Sequence, residues 1–227
     1  MAIPIDPFSQ LLWNIGYSIC HQIPARSFFE GGYQLPMCAR DTGTYLGFLA
    51  VFAIFLVFRR QGKAQRPELL IIAAGAIGIG FYTLDGFASQ LDLYETNNFL
   101  RLASGLMMGI GMGMFLLLAL AVLLHQGEER TAAFSRGDLL LAYALGALVL
   151  LTFSAGDLGV PAYYVLSTLI IIGFLSLMFT ISAVIVAAIL PHAPGSKSTR
   201  KVVMLAILLE VIIISALWWA HGYVPTS

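Results

Sequence analysis

Positions 162 to 190 run without a single charged residue. Crossing the hydrocarbon core of a bilayer takes about 20 helical residues, so this stretch is long enough. Backbone N–H and C=O groups find no partners in lipid, and such a stretch must close its hydrogen bonds on itself as a helix. Five more runs meet the same test. The six spans read as 42–58, 67–89, 97–124, 139–155, 162–190 and 202–223. Composition agrees, with 59% hydrophobic and 11% charged residues. A soluble domain usually carries roughly a quarter charged residues. Twelve basic residues balance twelve acidic ones, so no basic field marks a nucleic-acid partner. The expected partner is the lipid bilayer. The first eighteen residues lack a basic stretch and a small-residue cleavage motif, so no cleavable leader is expected.

The expected fold class is therefore all-α, an integral membrane bundle of about six transmembrane helices. It forms one membrane domain over 1–227: an outer-face amphipathic helix followed by a Cys/His loop at 1–41, spans one to three at 42–125, and spans four to six at 139–223. Within the first segment Phe8, Leu11, Leu12, Ile15 and Ile19 recur at helical spacing among polar residues. The segment is short for a span and reads as an amphipathic helix on the outer leaflet. A truncated seventh span is the alternative.

Basic residues set the expected orientation. Arg59, Arg60, Lys63, Arg66, Arg130, Arg136, Lys197, Arg200 and Lys201 fall in the odd-numbered loops. The other side holds Arg26, Arg40 and Arg101. Both termini are then expected outside a prokaryotic cytoplasmic membrane. Gly105, Gly109 and Gly113 recur at every fourth position, a face that admits close helix approach, and Gly43 and Gly47 match it. Arg101 and Asn97 lie on the same face as Gly105, so Arg101 should point into the bundle or its mouth.

Topology places the unusual polar residues on the outer side. Cys20, His21, Cys38 and Asp41 offer thiolate, imidazole and carboxylate, all zinc ligands, and Cys38 and Asp41 have ligand-like spacing. A Cys20–Cys38 disulfide is a competing reading in an oxidising compartment. A reversible thiol pair is a third. Arg101 forms a second constellation with Asp85, either as a register-fixing ion pair or as an anion clamp. Asn97, Asn98, Gln90 and Arg40 are candidate substrate contacts beside it. Asp85 or Glu95 is the candidate general base near a metal-bound water. Asp157 and His221 fall on the same side. Glu210 stands alone within the sixth span, hydrogen-bonded to a neighbour such as Thr152 or Thr180, or part of an ion pathway.

Cys20-His21-Gln22, Pro24, Arg26-Ser27-Phe28, Pro36 and Cys38-Ala39-Arg40-Asp41-Thr42-Gly43 together resemble the signature of an uncharacterised prokaryotic membrane family, the domain of unknown function numbered twenty eighty-five. Asp85-Gly86 with Gln90, and Asn97-Asn98 with Arg101 and Gly105, resemble its second signature. The likeness covers 20–113. The family pattern places a third cysteine where this chain has Asp41, which favours a mixed ligand set over an all-thiolate one. It implies a multi-pass fold and no particular activity. Three functions stay open: an outer-face zinc site acting on an anionic amphiphile, an accessory subunit of a larger membrane complex with the cysteines as a staple, and a small transporter using Glu210.

Overall fold

The computed structural model describes residues 6–58, 68–91, 94, 96–124, 134–190 and 196–221, and the side chains at 90, 196–198 and 221 fall outside that description. Six of its helices are long and apolar enough to cross a membrane. They are α2 (Ala39–Val57), α3 (Leu69–Gln90), α4 (Asn98–Leu124), α5 (Arg136–Ser154), α6 (Val160–Ile189) and α7 (Ser196–His221). A shorter helix, α1 (Pro7–Tyr17), precedes them. The expected membrane bundle is what forms. Most span ends agree with the sequence reading to within three residues, but α7 starts six residues early. Tyr223, His125 and His192 lie outside the described residues.

The sequence reading treated 20–41 as a loop, and here the structure differs. Residues 27–38 form a hairpin of β1 (Ser27–Glu30) and β2 (Tyr33–Cys38), paired antiparallel. Gly31 and Gly32 make the turn at φ 57° and 80°, the left-handed conformation that a two-residue hairpin requires. The second strand is not a surface strand. Leu35 and Met37 are fully buried and join Tyr45, Tyr163 and Phe174 in the core. Pro36, which cannot donate to a ladder, sits on the edge facing α1. Helix α1 packs there through Ser9, Leu12 and Gly16, leaving Phe8 and Leu11 exposed. The hairpin thus plugs one end of the bundle.

Helices α2 and α4 form the centre. A Cβ at Gly43 would collide with the Leu102 carbonyl, and one at Gly105 with the Arg40 carbonyl. The glycine face read from the sequence is therefore a backbone-to-backbone contact. Helix α6 presses α2 from the other side at Gly173. Helix α7 is the outlier, with only 11% of its span buried, and Glu210 lies half-buried on it. The hydroxyls of Thr152 and Thr180 bond to Leu148 and Ser176 carbonyls of their own helices.

The hairpin tip latches onto the α5–α6 turn. Asp157 Oδ1 accepts from Gly31 N at 2.6 Å and Gly159 N at 2.8 Å. Glu30, 2% exposed, accepts from Leu158 N at 2.7 Å, and its carboxyl lies close to that of Asp157. Burial, then the Asp157 charge, pushes the Glu30 carboxyl above its ordinary 4.5. The two backbone donors hold Asp157 below its ordinary 3.8. The signs are opposite. Glu30 contributes stability that is complete below pH 4.5 and fades as pH rises through its raised value. Asp157 contributes above pH 3.8 and loses it as pH falls through its lowered value. Amide exchange at Gly31 and Leu158, corrected for intrinsic rates, should therefore lose protection as pH rises through the Glu30 titration. Glu30→Gln should abolish that dependence, and an unchanged pH profile in the variant would contradict the latch.

Candidate metal centre

Two short segments converge beside the hairpin. The first is the turn that ends α1, where Cys20 N bonds to Gly16 O at 3.0 Å and turns the chain inward. Cys20 is 5% exposed. Gln22 follows in a left-handed conformation, φ 51°, rare for a residue with a side chain. Its amide donates to Trp13 O at 2.9 Å and Pro36 O at 3.0 Å. Gln34 ties the same turn from β2, donating to Gln22 O at 2.7 Å and Ser27 Oγ at 3.0 Å. These buried amides fix Cys20 against the hairpin without a covalent staple.

The second segment is the start of α2. Cys38 is its N-cap and Asp41 lies in its first turn. Positions three apart on a helix share a face. The Cys38 thiol donates to Asp41 Oδ2 at 3.0 Å, and Cys38 N donates to Cys20 Sγ at 3.2 Å. The ligand atoms of Cys20, Cys38 and Asp41 lie within 4.8 Å of one another. Both cysteines are free thiols, 4.0 Å apart, so the disulfide reading is not met in this structure. Two sulfurs bound to zinc at about 2.3 Å in tetrahedral geometry would stand roughly 3.8 Å apart. The Cys38 thiol is pushed far above its ordinary range, first by its hydrogen bond with Cys20, then by burial and the Asp41 charge. An arriving cation would have to displace that proton.

His21 takes no part in the three-donor group. Its neighbour Cys20 points inward while His21 is exposed, as adjacent side chains diverge, although His21 lines the same cavity. That cavity, of about 170 Å³, is bounded by Ile19, Ile23, Arg26 and the three donors as well.

The second constellation differs from the sequence reading in its arginine. Asp85 is met by Arg40, not Arg101. Arg40 Nη2 stands 2.5 Å from Asp85 Oδ2, and the Asp85 side chain is 1% exposed. Asp85 also accepts from the Tyr94 hydroxyl, from Ser104 Oγ at 3.0 Å and from Thr96 Oγ1 at 3.3 Å. Arg40 further lies over the Tyr82 ring. With four donors on its oxygens, Asp85 has little capacity left to take a proton from water. Tyr94, Thr96 and Ser104 were missed in the sequence. Ser104 had a signal, lying one turn from Arg101 on the packed face.

Asn97 Oδ1 accepts from Leu100 N at 2.8 Å and so caps α4. Asn98 reaches the hairpin approach, donating to Ala25 O and Ser27 O. Gln90 and His221 occupy helix ends, but their side chains, like all of Glu95, lie outside the described residues.

Fold and site together define a multi-pass α-helical membrane protein whose bundle is closed at one end by a hairpin, with a cysteine–aspartate cluster beside it. The chain belongs to the family described as predicted membrane protein (DUF2085), whose profile matches residues 20–115. That stretch holds the hairpin, α2, α3 and most of α4. An uncharacterized protein of Methanothermobacter thermautotrophicus is 32% identical over 109 residues, covering 47% of this chain and 92% of that protein. Another, from Methanocaldococcus jannaschii, is 33% identical over 108 residues, covering 47% of this chain and 66% of that protein. No solved structure matches.

Proposed function

We propose that the protein is a membrane metal-binding protein whose centre is built by Cys20, Cys38 and Asp41. The observation that carries this reading is the convergence of three donor atoms from two segments within 4.8 Å, at the wall of a cavity that Ile19, Ile23, His21 and Arg26 also line. Thiolate and carboxylate together suit zinc. Three protein donors leave one position open, the arrangement of zinc sites that act on water or substrate rather than of closed structural ones. In this reading the open position faces the cavity lined by His21 and Arg26. Asp85 serves to position: it holds Arg40, the neighbour of Asp41 on the first turn of α2. The centre lies on the non-cytoplasmic side, because Arg136, Arg200 and Lys201 mark the opposite helix ends as cytoplasmic.

Metal analysis of protein purified in mild detergent should give close to one zinc per chain. Cys38→Ala and Cys20→Ala should each weaken binding by more than the roughly 10–100-fold typical of losing an outer-shell partner. Zinc at the same level in wild type and both variants would overturn the reading.

A further inference from the structure

Asn98 performs two tasks at the start of α4. Its Nδ2 donates to Ala25 O at 3.4 Å and Ser27 O at 3.2 Å, the carbonyls on either side of Arg26. Its Oδ1 accepts from Arg101 Nη1 at 3.2 Å. One amide therefore ties the Arg26 backbone to the Arg101 guanidinium. The two arginines are within Coulombic reach of each other, and Arg101 also reaches Arg40, Asp85 and Cys38. Arg26 is exposed and lines the cavity that holds Cys20, Cys38 and Asp41.

Among the described residues the acids near this pair are engaged elsewhere, and Asp41 of the cavity wall accepts from the Cys38 thiol. Asp85, the acid first expected to neutralise Arg101, is committed to Arg40. Among the described residues the ion pairs are Arg40–Asp85 and Arg136–Glu68, and neither Arg26 nor Arg101 has a carboxylate at ion-pair distance. Two neighbouring guanidinium groups repel each other, and an anion between them relieves that repulsion. Guanidinium groups present paired N–H donors in a plane that fits the oxygens of a phosphate bidentately. The apolar edge is also present. Ile19 and Ile23 line the same cavity and are exposed, and Phe8 and Leu11 extend an apolar surface along α1.

We propose that Arg26 and Arg101 are a phosphate-recognising pair beside the cysteine–aspartate cavity, taking the phosphate of either a lipid headgroup or a free ion. The proposal rests on the metal reading for what the bound phosphate meets, while the arginine pair itself stands on the Asn98 bridge. Arg101 supplies a half-buried anchor and Arg26 an exposed one, so the ligand enters from the cavity mouth. Asn98 is a positioning residue in this arrangement.

The test uses full-length protein in detergent, titrated calorimetrically with inorganic phosphate, and in parallel the lipid retained from vesicle extracts containing phosphatidylglycerol or phosphatidylcholine alone. Zinc content is measured on every sample. Saturable binding in one or both arms is expected, weakened roughly tenfold or more by Arg26→Gln and by Arg101→Gln, because each loses a charge-assisted hydrogen bond. Arg101→Lys should fall between, keeping charge without the planar fork. Preference for phosphatidylglycerol with weak phosphate binding identifies the headgroup, and the reverse identifies the free ion. Zinc should be unchanged in the arginine variants. Should Arg101→Gln fail to fold, Arg26→Gln decides, since its side chain makes no hydrogen bond among the described residues. Phosphate binding without zinc would overturn the metal reading and leave the arginine pair standing. Zinc without either form of anion binding, or binding unaltered in Arg26→Gln, would overturn the pair.

Discussion

Gly109→Val is expected to abolish the folded protein. A Cβ at Gly109 would be driven into the Thr44 carbonyl and within 2.8 Å of Phe48 N, both backbone atoms of α2. A flexible side chain could retreat from such a clash, but a helix backbone cannot. Relief would require α2 and α4 to separate along the whole seam that Gly43, Gly47, Gly105 and Gly109 create. Even modest overpacking of a well-packed core costs about 1–3 kcal/mol. Here the contact is the central one, and apolar lipid supplies no compensating hydrophobic drive between helices. Size-exclusion chromatography in detergent should show at least a tenfold loss of monodisperse protein for the valine variant, and a severe loss for Gly109→Ala as well, since its Cβ meets the same backbone atoms. Wild-type yield and melting temperature for Gly109→Val would show that the seam is not as close as described.

Asp85→Ala is expected to be nearly as damaging. The carboxylate satisfies Arg40, Tyr94, Ser104 and Thr96 at once. Removing it leaves the largely buried Arg40 cation uncompensated. Breaking a buried ion pair from one side costs about 3–5 kcal/mol, whereas replacing both partners by apolar groups of similar volume is often neutral. Arg40→Met combined with Asp85→Leu should therefore recover much of the stability lost in Asp85→Ala. The double variant separates stability from site geometry. Arg40 neighbours Asp41 on the first turn of α2, so zinc affinity should stay lowered by roughly 10–100-fold in the double variant, as for other lost outer-shell contacts. Thermal denaturation with parallel metal analysis reads both effects. Full zinc affinity in the double variant would remove Asp85 from the site.

The helices were legible in the sequence because lipid leaves an apolar stretch of this length no alternative to a helix. The glycine face was legible for a related reason, since a repeat of four lies on one side of a helix. The hairpin leaves only a partial trace in the sequence. Gly31-Gly32 between short apolar runs is a two-residue turn signal. Pro36 and the burial of β2 on both faces, which removes the usual alternation, masked the strand. The arginine exchange at Asp85 was not readable. Spacing on α4 gives the direction of Arg101 along its own helix, but not the rotation of α2 against α3, which brings Arg40 to the acid instead. Cys20, Cys38 and Asp41 were found by ligand chemistry. His21 was included on the same ground, and backbone divergence from Cys20 separates it from them.

Cobalt(II) substitution tests the metal centre most directly. Thiolate bound to cobalt gives a near-ultraviolet charge-transfer band whose intensity scales with the number of sulfurs. Full-length protein loaded with cobalt should show a band for two thiolates, reduced by about half in Cys20→Ser and in Cys38→Ser and retained in Asp41→Asn with altered visible absorption. A cobalt spectrum without thiolate character, or one indifferent to both cysteine substitutions, would contradict a metal centre at this site.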